Sequence, residues 1–150
     1  MPIENRPPPQ TEFQQLFNGR VWSVMAWDQL TTLWQRIDPA AGWYLQAAGI
    51  DALPTVADAA AVAAFIEQID ALLRSDHHES YCGIVYADDL ENPRLIKIYD
   101  PNNLGSSCGS SKNPPGPGWI MSRVAPDAAL SRHPVAANRM RWWHRLRGDS

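Results

Sequence analysis

Between Thr55 and Ser75 the apolar residues Val62, Phe65, Ile66, Ile69, Leu72 and Leu73 recur at three- and four-residue intervals. That spacing lines one face of a helix. Thr55 and Asp58 form a capping pair ahead of the stripe, and Asp58, Glu67 and Arg74 leave the opposite side wet. The alanine-rich run from Ala59 to Ala64 favours helix and lets a neighbouring backbone approach closely, so the pattern predicts a central helix lying flat on a sheet. Two shorter helical patterns precede it. Thr11 and Gln14 fit a capping box, Phe13, Leu16 and Phe17 share a face, and Gly19 suits a left-handed C-terminal turn. After an extended link at Arg20–Trp22, Ser23 is the expected cap of a second helix. There Trp27, Leu30, Leu33, Trp34 and Ile37 recur until Pro39 stops the pattern.

A different period follows. Residues 42–47, 81–87, 94–100 and 119–124 are rich in aromatic and β-branched side chains and are bounded by turn formers, so they read as strands. The polar run from Asp88 to Pro93 has turn chemistry and predicts a hairpin between the second and third strands. Alternation sets Cys82, Ile84 and Tyr86 against Tyr81, Gly83 and Val85, and Ile96 and Ile98 against Leu95, Lys97 and Tyr99, with Lys97 marking the wetter face. Helices before strands predict an α+β fold, an antiparallel sheet of three or four strands with the central amphipathic helix on one face and the short N-terminal helices beside it. Residues 1–10, with four prolines, read as a flexible arm, 11–130 as a single α+β domain, and 131–150 as a basic tail rich in Trp and Arg. Within that tail 138–147 predicts a short helix.

Composition narrows the class. With 150 residues, 45% apolar and 19% charged, the chain can bury one substantial core. Its seven tryptophans should dominate that core or an interface, because each large ring brings an indole N–H that needs a partner. A net charge of −3 gives no global attraction to phosphate or anionic lipid, but five of the 13 basic residues lie between Ser131 and Arg147, where there is no acid. The body is acidic and the tail basic, which argues against nucleic-acid binding. No run approaches a membrane span, and the proline-rich start lacks a signal peptide's pattern, so a cytoplasmic protein with free thiols at Cys82 and Cys108 is expected.

Candidate chemistry concentrates in two places. The run from Asp100 to Lys112 leaves a strand and offers Asp100, Asn102, Asn103, Gly105, Ser106, Ser107, Cys108, Gly109 and Lys112 as a loop for a ligand or partner. It fails the phosphate-loop pattern, since three residues separate Gly105 from Gly109 where four are needed and prolines follow Lys112 where a helix should start. Cys108, between small residues, is a candidate nucleophile or redox thiol if His77 or His78 reaches it. The two adjacent histidines also suit the negative end of the central helix. Solitary cysteines and neighbouring histidines lack the paired spacing of zinc sites, so no metal or cofactor is assigned, although a homodimer would bring four thiols together. Asp88, Asp89 and Glu91 read as solvated turn acids. The second place is the tail, where Arg139, Arg141, Trp142, Trp143 and Arg145 either face a partner or dock on the domain's own acidic surface.

At Tyr81–Ala87, Ile98–Ser111 and Pro117–Arg123 the chain resembles a small uncharacterised bacterial family associated with genes of nitrogen fixation and similar metalloenzyme systems. The resemblance implies an accessory protein and supplies no catalytic residues. The leading expectation is a non-catalytic accessory or interaction protein that binds a larger protein through the Gly/Ser loop and the C-terminal tail. The alternatives are a small cysteine-dependent enzyme or redox protein using Cys108, and a nucleic-acid binder acting through the tail.

Overall fold

A computed structural model describes residues 9–50, 52–103, 116–128 and 137–146. In chain order the elements are α1 (Glu12–Phe17), β1 (Trp22–Val24), α2 (Trp27–Gln35), β2 (Tyr44–Ala47), α3 (Ala59–Asp76), β3 (Val85–Ala87), β4 (Leu95–Ile98), β5 (Trp119–Ser122) and α4 (Ala137–Leu146), with one 3-10 turn at Pro101–Asn103. The strands form a single antiparallel sheet in the order β1-β3-β4-β5-β2. The fold is α+β as the pattern predicts, but the sheet has five strands rather than three or four.

The extra strand comes from the segment read as a link. Trp22, Ser23 and Val24 pair with Ala87, Tyr86 and Val85. Ser23 therefore lies in the sheet and does not cap α2, which is capped instead at Ala26. Gln29 Oε1 reaches back there to accept from the Met25 and Ala26 N–H groups at 3.2 and 3.0 Å. Thr11 does form the expected capping box with Gln14. Gly19 is not left-handed, since the described positive φ angles belong to Gly42, Gly49 and Gly83. Its role is close approach, because a Cβ there would lie 2.7 Å from the Gln15 carbonyl oxygen. Asp58 alone caps α3, accepting from Ala61 N–H at 2.8 Å. Thr55 lies outside the helix, in a stretch that runs past the edge of β2 and bridges Trp43 to Ala57.

Two layers enclose the sheet. Val24, Leu45, Ala47, Val85, Ala87, Ile96, Ile98, Trp119 and Met121 share one core with Leu30 and Leu33 of α2, Val62, Phe65, Ile69, Leu72 and Leu73 of α3, and Trp143 of α4. Removing each large apolar side chain from water contributes about 1.5–3 kcal/mol before the cost of ordering it, so α3 is the main stabilising element on this face. On the opposite face α1 lays Phe13, with Leu16 and Phe17, over Leu95 and Ile120. Lys97 sits on this second face, half-buried, donating to the Phe17 carbonyl at 2.5 Å with its ammonium 4.2 Å from the Phe17 ring centre.

The first hairpin strand is shorter than the sequence predicts. Gly83 takes φ +73°, and Cys82 and Gly83 donate to the Met25 and Val24 carbonyls, so the alternation breaks there and Ile84 and Val85 are both buried. Asp88 closes the hairpin by accepting from the Arg94 and Leu95 N–H groups at 2.8 and 2.9 Å. Asp89 accepts from Glu91 and Asn92, which gives these acids the turn role expected of them. No helix among the described residues is long and apolar enough to cross a membrane.

Candidate functional site

The two candidate segments meet at one point. Asp100 follows β4, and its Oδ1 accepts from Asn102 N–H at 2.9 Å in an Asx turn. Gly118, which leads into β5, returns to the same place. Its N–H donates to the Ile98 carbonyl at 2.8 Å, and a Cβ on it would lie 3.1 Å from Asp100 Cβ. Both roots of the excursion that begins at Pro101 are thus fixed beside Asp100. Gly105, Ser106, Ser107, Cys108, Gly109 and Lys112 lie outside the described residues, and Asn103 ends the 3-10 turn.

Arg139 of α4 enters this junction from the tail. Its Nε and Nη2 donate to the Asp100 carboxylate at 3.1 Å each, and Nη2 also donates to Asp76 Oδ2 at 2.7 Å at the end of α3. The Arg139 and Asp100 side chains are each only 8% exposed, so both charges are held away from water. Burial opposes the Arg139 charge, but the hydrogen bonds and charges of Asp100 and Asp76 outweigh it and hold the guanidinium pKa above its ordinary value. A planar fork satisfying two carboxylates is geometry that a lysine ammonium does not reproduce.

The remaining tail residues divide by helical face. Trp143 is buried against Phe65, with ring centres 6.3 Å apart, and half-buried Trp142 meets Phe65 and Trp119 at 6.4 and 5.7 Å. Arg141 and Arg145, one turn apart, are exposed. Of the five residues grouped as a partner-binding tail, Arg139 and Trp143 therefore serve the domain's own packing, while Arg141, Arg145 and part of Trp142 face outward.

The histidines occupy a different environment. His77 Nε2 lies 2.9 Å from the Cys82 carbonyl oxygen, to which it donates, and its ring contacts Trp27 and Tyr81 edge-on at 6.0 and 6.2 Å. Arg74 stacks on the other partner of that cluster, 5.2 Å from the Trp27 ring centre. His78 beside it is exposed. Cys82 is a buried free thiol, its pKa raised by burial against weaker opposing hydrogen bonds from Ile84 and Val85. Among the described residues no group of three or more His, Cys, Asp or Glu side chains converges as a metal site.

Sequence reasoning missed the Asp76–Arg139 pair. The two residues are 63 positions apart, and the only signal was a basic segment beside an acidic body. Comparison with known proteins finds no matching family model, no matching curated protein and no matching solved structure.

Proposed function

We propose that this chain is a non-catalytic accessory protein that binds a larger protein through the excursion after Asp100 and the outward face of α4. The observation that carries the reading is the buried Asp100–Arg139–Asp76 junction, which ties the roots of a Gly/Ser-rich segment to the helix bearing Arg141 and Arg145. A rigid base holding two chemically distinct segments together lowers the ordering cost that recognition would otherwise incur. Backbone donors of the excursion, two exposed guanidinium groups and the edge of Trp142 suit an acidic, hydrogen-bonding protein surface. An accessory role in a metalloenzyme system, as the family resemblance implies, belongs to the same proposal, as does a cytoplasmic setting.

The test is cross-linking in native cytoplasm followed by comparison of three chains: wild type, Arg141→Glu/Arg145→Glu, and one with residues 104–113 replaced by a Gly/Ser stretch of equal length. A specific protein adduct should be lost in both variants while thermal unfolding stays unchanged. An adduct of equal yield in all three refutes the reading. The cysteine-dependent alternative needs His77 to leave the Cys82 carbonyl, or His78 to act alone. It predicts alkylation of Cys108 faster than an ordinary thiol at neutral pH. Nucleic-acid binding would rest on Arg141 and Arg145 alone among the described residues of α4, and predicts affinity that falls steeply with salt.

A further inference from the structure

The two edges of the sheet are finished differently. Along β2 the returning stretch shields the edge, with Ala57 N–H donating to the Trp43 carbonyl at 2.8 Å. No strand among the described residues pairs with the outer edge of β1. Asp88 N–H donates to the Leu95 carbonyl at 3.1 Å and Tyr99 N–H to the Ile84 carbonyl at 2.9 Å, so Tyr86 and Lys97 exchange bonds with each other and Val85 and Ala87 turn theirs toward β1. Trp22 and Val24 answer them, which leaves the Ser23 N–H and C=O directed away from the sheet. Charged side chains and proline are the usual guards of such an edge, and Trp22, Ser23 and Val24 bring neither.

Apolar surface and unpaired charge gather at the same place. Among the described residues five large apolar side chains are exposed, and Trp22 and Met25, both at 51%, and Tyr81, at 48%, are three of them. Met25 directly follows β1, and its carbonyl accepts at 2.6 Å from the N–H of Cys82, the neighbour of Tyr81. Arg20 and Asp28 flank the strand on either side, exposed and without an ion-pair partner among the described residues.

We infer that β1 pairs antiparallel with β1 of a second copy of this chain about a two-fold axis through Ser23, joining the two five-stranded sheets into one. On that axis the Ser23 N–H of each copy donates to the carbonyl of the partner's Ser23, so the outward pair on both chains is satisfied. An unrelated extended peptide would gain little more than this pair, because the Met25 N–H is already taken by Gln29 Oε1 at 3.2 Å and the Met25 carbonyl by Cys82. A second copy also brings matching side chains. Trp22 stands across from the partner's Val24 and diagonal to the partner's Trp22, and Met25 meets the partner's Val21 on the other face. Arg20 stands across from the partner's Ala26, within an arginine's reach of the partner's Asp28. Covering these groups removes on the order of 400 Å² per chain, about half of one side of a standard interface, so the dimer is weak, with a dissociation constant on the order of 10–100 μM. It uses none of the contact residues proposed above for a larger protein, so either reading can fail alone.

Sedimentation velocity of the full chain from about 5 to about 500 μM should show monomer passing to dimer, and the amide resonances of residues 20–26 should shift over the same range. Ser23→Pro removes an outward N–H that the chain's own sheet does not use and should weaken association about tenfold. Arg20→Asp and Asp28→Arg each set like charges across the axis and should weaken it about fivefold, whereas an equal mixture of these two variants should recover wild-type association, because each then faces its opposite. Both charge changes are at exposed positions, and thermal unfolding at low concentration checks their fold, so the test stands even where Ser23→Pro fails to fold. A monomer throughout the concentration range, shifts confined to other residues, undiminished association of folded Ser23→Pro, or a mixture that associates no more tightly than its components overturns the inference.

Discussion

Replacing Arg139 with methionine tests whether the buried junction holds α4 to the body. Methionine preserves much of the aliphatic stem and removes the charge, which leaves the 8% exposed Asp100 carboxylate without its counter-ion. Breaking a buried pair from one side costs about 3–5 kcal/mol, because the remaining charge is stranded in a poorly solvated site. Asp76 adds little to this figure, since its side chain is 34% exposed and water can replace the guanidinium. Against the about 5–15 kcal/mol that stabilises a typical domain, such a loss is a large share. Urea unfolding followed by tryptophan fluorescence should show a midpoint lowered by that amount at an unchanged slope. The double variant Arg139→Met/Asp100→Leu removes both charges and should be less destabilised than Arg139→Met plus Asp100→Leu taken separately, by more than about 1.5 kcal/mol. It will not recover fully, because Asp100 also accepts from Asn102 N–H, a hydrogen bond worth about 1 kcal/mol. A single variant within about 1 kcal/mol of wild type, or a double variant that loses the simple sum, refutes the clamp as a stabilising device.

Asp88→Ala removes the acceptor of two backbone N–H groups at the hairpin mouth and should cost about 1–3 kcal/mol by chemical denaturation, with Asp88→Asn recovering part of the loss. Gly83→Ala forces a Cβ into a left-handed backbone and to 3.1 Å from the Tyr81 ring, so a penalty of about 1–2 kcal/mol is expected, and an unchanged melting temperature would contradict it. Burial raises the Cys82 pKa above that of the unfolded thiol, about 8.5, so the unfolded state releases its proton first. The stability owed to this thiol is full below that pH and is lost as pH climbs toward the folded value. Wild type should therefore lose more stability between pH 8 and pH 10 than Cys82→Ala, as read by urea midpoints at each pH.

Much of the fold was legible because its strongest signals are local. The stripe of α3, the capping box at Thr11 and the hairpin around Asp88 and Asp89 each combine a periodic pattern with a terminator a few residues away. β1 was not legible for the converse reason. Three residues are too few to show alternation, and Ser23 has the side chain of a helix cap; only pairing with β3, more than 60 residues later, makes the segment a strand. Trp22 misled further, since it is an aromatic residue in a strand yet 51% exposed at the sheet edge. At the candidate site the sequence singled out Asp100 and Arg139 separately, as members of a loop and of a tail. Their contact depends on where α4 docks, which Trp142 and Trp143 decide by packing on Phe65 and Trp119.

The meeting of Asp100 and Gly118 bears on how this protein can change over generations. When a span departs and re-enters at almost one point, its end-to-end separation no longer depends on how many residues lie between. Closure entropy then rises only about 0.6 kcal/mol for each doubling of length. Insertions, deletions and wholesale rewriting between those two residues should be tolerated by the five-stranded frame. Recognition could thus be retuned there without renegotiating the fold, and a family built on this scaffold would be expected to vary most in that interval and least at its two anchors.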